Sequence, residues 1–177
     1  MNMPETREAL IAAVTAGAVF EFVPFFRHEH PFSQWHPAPF TVSGQRYATA
    51  EQWMMAEKAR TFGDWEGRRR ILATPYPAEA KALGRTVRGF DEAQWATERL
   101  SVVFNGNLQK FRQNPHLFEK LLATAGRILV EASPRDLVWG AGVSAGDPTV
   151  AHPESWPGLN LLGFTLMRVR YALATRG

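Results

Sequence analysis

The chain has no cysteine. That removes thiol catalysis, thiolate metal sites and disulfide scaffolding together, and it suits a reducing cytoplasm. No apolar run approaches the ~20 residues that cross a bilayer, and the amino terminus from Met1 to Glu8 is polar and charged. A soluble cytoplasmic protein is expected. Net charge is scarce as well: 20 Lys and Arg against 17 Asp and Glu leave +3. That excess permits an anionic ligand without giving the basic surface of a dedicated nucleic-acid binder. A phosphate loop, a GxSxG elbow and a dinucleotide fingerprint are all missing. The five histidines, His28, His30, His36, His116 and His152, show no HExxH spacing, so neither a metal nor a cofactor is expected. Arg68-Arg69-Arg70 cannot occupy one face of a helix and reads as a solvated run. No repeat, low-complexity tract or linker breaks the chain, and 177 residues suffice for one domain with its own core. No obligatory protein partner is inferred.

What is present is mainly helical. A first helix is expected over Glu5 to Ala16, stopping at Gly17, and a half-buried strand over Ala18 to Val23. A loop rich in proline and aromatics follows from Pro24 to Pro39. Phe40 to Val42 and Gln45 to Tyr47 flank the turn Ser43-Gly44 as two short strands. Thr49 with Gln52 is a capping box opening the next helix, and Asp91 with Gln94 is another, opening the longest one, which ends before Asn114-Pro115. Between them Asp64 caps a short helix ending before Thr74-Pro75, and Pro77 opens another through Leu83. Leu117 to Thr124 continues helical, Ile128 to Glu131 is a strand candidate, and Asn160 to Ala174 has the spacing of a closing helix. The expected class is α+β: a mainly helical single domain with a small β-sheet.

Chemistry concentrates on the second helix. Glu51 and Lys58 are seven residues apart, so at about 100° per residue an acid and an amine return to one helical face. Two such residues alone read as a solvated charge pair. Trp53, Met54 and Met55 add apolar bulk, at the edge of which ionisation constants move. Elsewhere, Glu131 and Asp136 precede Trp139 and the glycine-rich stretch Gly140 to Gly146, where backbone can approach a ligand and the indole can stack, or where the indole simply fills a core. Gly84-Arg85 follows a short helix and could meet a phosphate or only solvent. Asn105, Asn107 and Lys110 punctuate the long helix, where amides facing a core commonly serve structure.

Taken together, Tyr47-x₃-Glu51-x₃-Met55-x₂-Lys58, Ala80-Lys81-x-Leu83-Gly84-Arg85, Trp95 with Arg99, Asn107-x₂-Lys110-Phe111, Leu129-Val130-Glu131-x-Ser133-x₂-Asp136-x₂-Trp139-Gly140-x-Gly142, and Asn160-x-Leu162-Gly163-x₂-Leu166-Met167-x₂-Arg170 resemble the YbiA-like family, also called NADAR. The six blocks run in order from about Phe20 to Leu173. The resemblance leaves residues 1–17 outside as an N-terminal helix and makes 18–177 the family domain. One departure is Phe32-Ser33-Gln34-Trp35, where the family often has Phe-Ser-Asn-Phe, so the amide of Gln34 reaches farther.

The resemblance implies cleavage of a ribosyl N-glycosidic bond, with either ADP-ribosylated guanine in nucleic acid or a phosphoribosylamino-pyrimidine intermediate of riboflavin synthesis as substrate. It implies Lys58 as an amine that forms a Schiff base with the opened ribose, Glu51 as acid and base, and Asp136 as a further catalytic carboxylate. A paired-carboxylate mechanism using Glu51 and Asp136 is the alternative. Substrate contacts are expected at Tyr47, Ser33, Gln34, Asn107 and Glu131, phosphate contacts at Arg85 and Lys110, and stacking or backbone contacts at Trp95, Trp139 and Gly140. A non-catalytic binder of ADP-ribose or a nucleotide, and a structural partner protein, are the other classes considered; aligned Glu51 and Lys58 favour an enzyme.

Overall fold

The computed structural model describes residues 3–175. In chain order its elements are α1 (Arg7–Thr15), β1 (Phe22–Phe25), β2 (Phe40–Val42), β3 (Gln45–Tyr47), α2 (Ala50–Thr61), α3 (Trp65–Ala73), α4 (Pro77–Gly84), α5 (Glu92–Gln113), α6 (Pro115–Leu122), β4 (Ile128–Glu131) and α7 (Leu161–Ala174), with two 3₁₀ turns at Pro148–Ala151 and Pro153–Ser155. The class is α+β and mainly helical, as the sequence implies. The strands form two separate two-stranded ribbons in place of one sheet. Among the described residues no helix is long and apolar enough to cross a membrane. The chain folds as two compact units, one from residues 1–33 and 117–177 and one from Gln34–His116. The ends of the first unit, residues 1–2 and 176–177, lie outside the described residues, as do the outer ends of the domain division at 17 and 18.

In the first unit β1 pairs parallel with β4, Phe22 opposite Ile128 and Phe25 opposite Glu131. The strand begins and ends later than the alternation at Ala18 to Val23 suggests, because it admits Pro24; proline is tolerated in an edge strand, and each strand of a two-stranded ribbon has a free edge. Ile128, Leu129 and Val130 are fully buried, a continuous apolar run suited to a covered parallel strand. Helix α7 packs on β4. Its Arg170 is 5% exposed and donates to Thr124 O, Thr124 Oγ1 and Arg127 O, tying the helix to the turn before the strand. Burial lowers the pKa of this guanidinium, and the ring of carbonyl acceptors offsets the desolvation. Helix α1, capped by Thr6 in place of the expected start at Glu5, rests on the second 3₁₀ turn.

The second unit is built around α2. Nine of its twelve residues are buried, so it has no polar face and neighbours must cover it on every side. Helices α3, α4 and α5 do so. Thr49 Oγ1 accepts from Gln52 N at 3.1 Å, the first half of the expected capping box. The reciprocal half goes elsewhere: Gln52 Oε1 accepts from Ala48 N at 2.7 Å, while its Nε2 donates to Ile71 O, Leu72 O and Thr74 O. One buried amide thus satisfies both the start of α2 and the orphan carbonyls ending α3. Asp91 and Asp64 cap α5 and α3 by accepting from Gln94 N and Gly67 N. Phe40 stacks on Tyr47 at the hairpin, and Tyr47 meets Trp53 edge to face with ring centroids 5.0 Å apart. Helix α5 crosses α2 at Gly106, where a Cβ would overlap the Trp53 indole. That indole cannot retreat easily, since its Nε1 donates to Val102 O at 2.8 Å.

Replacing Gly106 with Ala therefore sets a helix-propensity gain of ~1 kcal/mol against an overpacking cost of ~1–3 kcal/mol. We expect a lower urea midpoint; an unchanged or higher one would show that α2 and α5 can part without penalty. A second expectation concerns acid. Asp64 receives Arg88 Nε, Nη2 and N as well as Gly67 N, and these hydrogen bonds depress its pKa to about 2. A depressed carboxylate contributes stability that is present above its unfolded value of ~3.9 and is lost as pH falls through the folded one. Asp64→Asn should flatten stability between about pH 4 and pH 2, measured by denaturant midpoints across that range.

Candidate active site

The amine of Lys58 combines partial burial with a hydrogen bond and an aromatic face. Lys58 lies in the last turn of α2 and is half-buried. Its Nζ donates to Gly84 O at 3.0 Å and stands 3.8 Å from the ring centroid of Phe90. Burial lowers its pKa, against which Glu92 pulls upward. The reach to Gly84 follows from packing: a Cβ on Gly84 would overlap the thioether of Met55, so α4 can lie close enough to α2 to offer its last carbonyl. The amine thereby also caps α4.

Glu51, two turns earlier, is 2% exposed, and its backbone N donates to Gln34 O at 3.0 Å. Gln34 Oε1 in turn accepts from Asn107 Nδ2 at 2.9 Å, and the same Nδ2 reaches Val103 O. Asn107 is wholly buried, and its Oδ1 accepts no hydrogen bond among the described residues. The second unit thus gathers Glu51, Gln34 and Asn107 into one polar group on the N-terminal part of α2 and the middle of α5, with Lys58 at the far end of α2. Lys110, one turn beyond Asn107, is fully buried with Nζ 5.1 Å from the Phe111 ring centroid.

The remaining expected contacts divide by burial. Tyr47 is 2% exposed, in the aromatic cluster; its hydroxyl accepts from Arg68 Nη2 at 3.3 Å, and burial raises its pKa. Trp95 is buried on α5, whereas Arg85 at the C-cap of α4 is exposed. In the first unit Ser33 is buried. Glu131 ends β4, its N donating to Asn160 Oδ1 at 2.9 Å. Asp136 Oδ1 accepts from Val138 N and Trp139 N, which makes it a turn former and holds the half-exposed Trp139 in place. Gly140 is buried, and its O accepts from Asn160 N at 3.0 Å. Among the described residues no group of three His, Asp or Glu could hold a metal.

Two residues have a part that no expectation gave them. Asn160, fully buried at φ 53°, also donates from Nδ2 to Leu129 O and so clamps β4 to the loop at Gly140. Asparagine is among the few residues that tolerate this left-handed conformation, but nothing in a linear pattern announces it. Phe90, which faces Lys58, lies just before the Asp91 cap and is named in none of the expected contacts. The run Arg68-Arg69-Arg70 is solvated as expected at Arg69 and Arg70, which are exposed, Arg69 pairing with Glu66 at 2.7 Å; half-buried Arg68 departs from it and is turned toward Tyr47.

The family model described as the NADAR domain matches residues 24–174. N-glycosidase R617 of Acanthamoeba polyphaga mimivirus is 42% identical over 146 residues, which are 80% of this chain and 86% of that protein. The chloroplastic riboflavin biosynthesis protein PYRR of Zea mays is 41% identical over 98 residues, 53% of this chain and 14% of that protein. The NMR structure of the E. coli protein YbiA superposes with a TM-score of 0.73 at 27% identity, covering 98% of this chain and 95% of that one.

The Gln34–Asn107 bond can be tested by a double-mutant cycle. Gln34→Ala strands a buried amide, at an expected cost of about 1–3 kcal/mol. Combined with Asn107→Leu it should cost less than the two single changes added, by about 1 kcal/mol. Strict additivity would mean that the two amides do not support one another.

Proposed function

The chain belongs to the NADAR family and is an N-glycosyl hydrolase, and we propose that it removes ADP-ribose from ADP-ribosylated guanine in nucleic acid, using Lys58 as nucleophile and Glu51 as acid and base. The observation that carries this reading is the half-buried amine of Lys58 with its lowered pKa, on the same helix as the buried carboxyl of Glu51. A neutral amine is the form that attacks, and desolvation makes it accessible nearer neutrality.

The chemistry follows from these two groups. The Lys58 amine forms a bond to the anomeric carbon as the bond to guanine breaks, and a protonated Glu51 gives its proton to the departing base. The sugar ring opens: the bond from the anomeric carbon to the ring oxygen breaks, the nitrogen's proton passes to that oxygen, and a Schiff base remains. Water then adds to the imine while the Glu51 carboxylate takes a proton, and collapse returns the amine with free ADP-ribose. The sum is one water consumed, one N-glycosidic bond broken and both groups restored.

Charge favours a polyanionic substrate for this unit. Residues 34–116 carry twelve Lys and Arg against eight Asp and Glu, and the rest of the chain eight against nine. The basic excess therefore sits wholly on the unit that holds Lys58 and Glu51. Exposed Arg85 is its proposed phosphate contact and Gln34 its proposed contact to sugar and base, while Lys110, Asn107 and Tyr47, at most 2% exposed, are proposed to support that surface from behind. A second reading, hydrolysis of a phosphoribosylamino-pyrimidine, is favoured by the similarity to the riboflavin biosynthesis protein PYRR.

The test is incubation with guanine-ADP-ribosylated single-stranded DNA beside the phosphoribosylamino-pyrimidine, with products followed by mass spectrometry. We expect release of ADP-ribose and restoration of guanine. Glu51→Ala should lower turnover by about 10²–10⁴-fold. Lys58→Arg, which keeps the charge and the cap on α4, should abolish it, and borohydride should trap a sugar adduct on Lys58 of the unaltered protein. Cleavage of the pyrimidine ribotide alone would install the second reading, and substantial turnover by Lys58→Arg would remove the covalent lysine.

A further inference from the structure

We infer that Phe90 is a positioning residue for the reaction: its ring face holds the ammonium form of Lys58 against the Gly84 carbonyl and sets the pH at which the nucleophile is released. This rests on the reading of Lys58 as the nucleophile.

The position of Phe90 is unusual for so large an apolar group. It is 41% exposed and immediately precedes Asp91, the N-cap of α5. An apolar residue there ordinarily staples its own helix. Phe90 instead sets its ring against Phe62, the C-cap of α2, at 5.3 Å and 72°, and offers its face to Lys58 Nζ at 3.8 Å. The edge contact with Phe62 leaves that face directed at the amine.

Three features of this resting place favour the charged amine. The Gly84 carbonyl accepts a hydrogen bond at 3.0 Å, the aromatic face attracts a cation, and the last turn of a helix carries partial negative charge. All three weaken when the proton leaves, because a neutral amine loses the attraction to the ring and to the helix end. The same contacts that park the ammonium therefore let the free amine go. Phe90 is the exposed member of the set, so it is the one that can give way without disturbing the core.

The other charged groups near α2 do not supply this dependence on Phe90. Glu92 of α5 raises the pKa of Lys58 and is itself paired with Arg99 at 3.2 Å. On α2, Glu57 pairs with Arg60 and Glu51 is buried two turns away. The end of α4 carries Lys81, 5.9 Å from the Trp35 ring centroid, and the exposed Arg85, and the turn after it carries Arg88, paired with Asp64. From α3, Arg68 meets Tyr47 and Arg69 meets Glu66 while Arg70 is exposed, and β3 contributes Arg46. A change at Phe90 leaves all of them in place.

The experiment compares Phe90→Leu and Phe90→Tyr with the unaltered protein. Leucine keeps water from the amine but has no aromatic face; tyrosine restores the face. The pKa of Lys58 is read by competitive labelling with trace acetic anhydride across pH, followed by mass spectrometry of the Lys58 peptide, and the pH profile of kcat/KM is measured beside it. Removing a contact that favours the cation lowers the amine pKa, so Phe90→Leu should shift the labelling midpoint down by about half a unit to one unit. The acid limb of kcat/KM should move with it, and Phe90→Tyr should return both. An unmoved labelling midpoint in Phe90→Leu overturns the inference, because a ring that merely packs would leave the amine's titration alone. Labelling does not depend on turnover, so a shifted midpoint together with an active Lys58→Arg enzyme would count against lysine catalysis and not against the contact.

Discussion

Close approach of α4 and α5 to α2 is the constraint on which the second unit depends. A helix buried on every side cannot be stabilised by an amphipathic stripe, and it needs neighbours whose backbones come near. Glycine supplies that at both crossings, Gly106 against Trp53 and Gly84 against Met55. The consequence is chemical as well as structural. Because α4 lies so near, its last carbonyl falls within 3.0 Å of Lys58 Nζ; because α5 lies so near, Asn107 meets Gln34 beside Glu51. Packing thus brings polar partners to the two ends of one helix.

What the sequence revealed was local. Thr49, Asp64 and Asp91 were legible as caps because a cap is a contact across three residues, and Ser43-Gly44 was legible as a turn for the same reason. Pro24 hid the end of β1, since proline reads as a break unless the strand is known to be an edge. The parallel pairing of β1 with β4 joins residues more than a hundred apart, and no period within either strand encodes it. Gln52 was assigned to its own helix start, yet its amide spends three donations on the end of α3. Lys58 and Glu51 stood out through spacing and apolar company. Phe90 and Asn160 did not, because one acts through a ring face and the other through a left-handed backbone.

Lys58 lies between opposing demands. Water is partly withdrawn from it, which disfavours charge, while Gly84, Phe90, Glu92 and the helix end favour charge. A lysine buried without such partners would be neutral and would forfeit its service as a cap; one fully solvated would keep its proton at any physiological pH. The intermediate position suits the double part proposed for Lys58, a structural donor at rest and a nucleophile in turnover.

The carboxylates are not equivalent in the same respect. Asp136 has Oδ1 committed to two successive backbone N–H groups, so its side chain is part of the turn that carries Trp139. For it to swing toward an anomeric carbon, or to surrender that oxygen to a water, the turn would have to be unmade. Glu51 lies on a helix and not in a turn: its backbone N makes the contact with Gln34 O, and α2 is packed against α3, α4 and α5. An acid that must gain and lose a proton in each cycle is better placed where its protonation does not alter the fold. That consideration weighs against the paired-carboxylate alternative to the proposed mechanism, in which Asp136 would have to serve the loop and the chemistry at once.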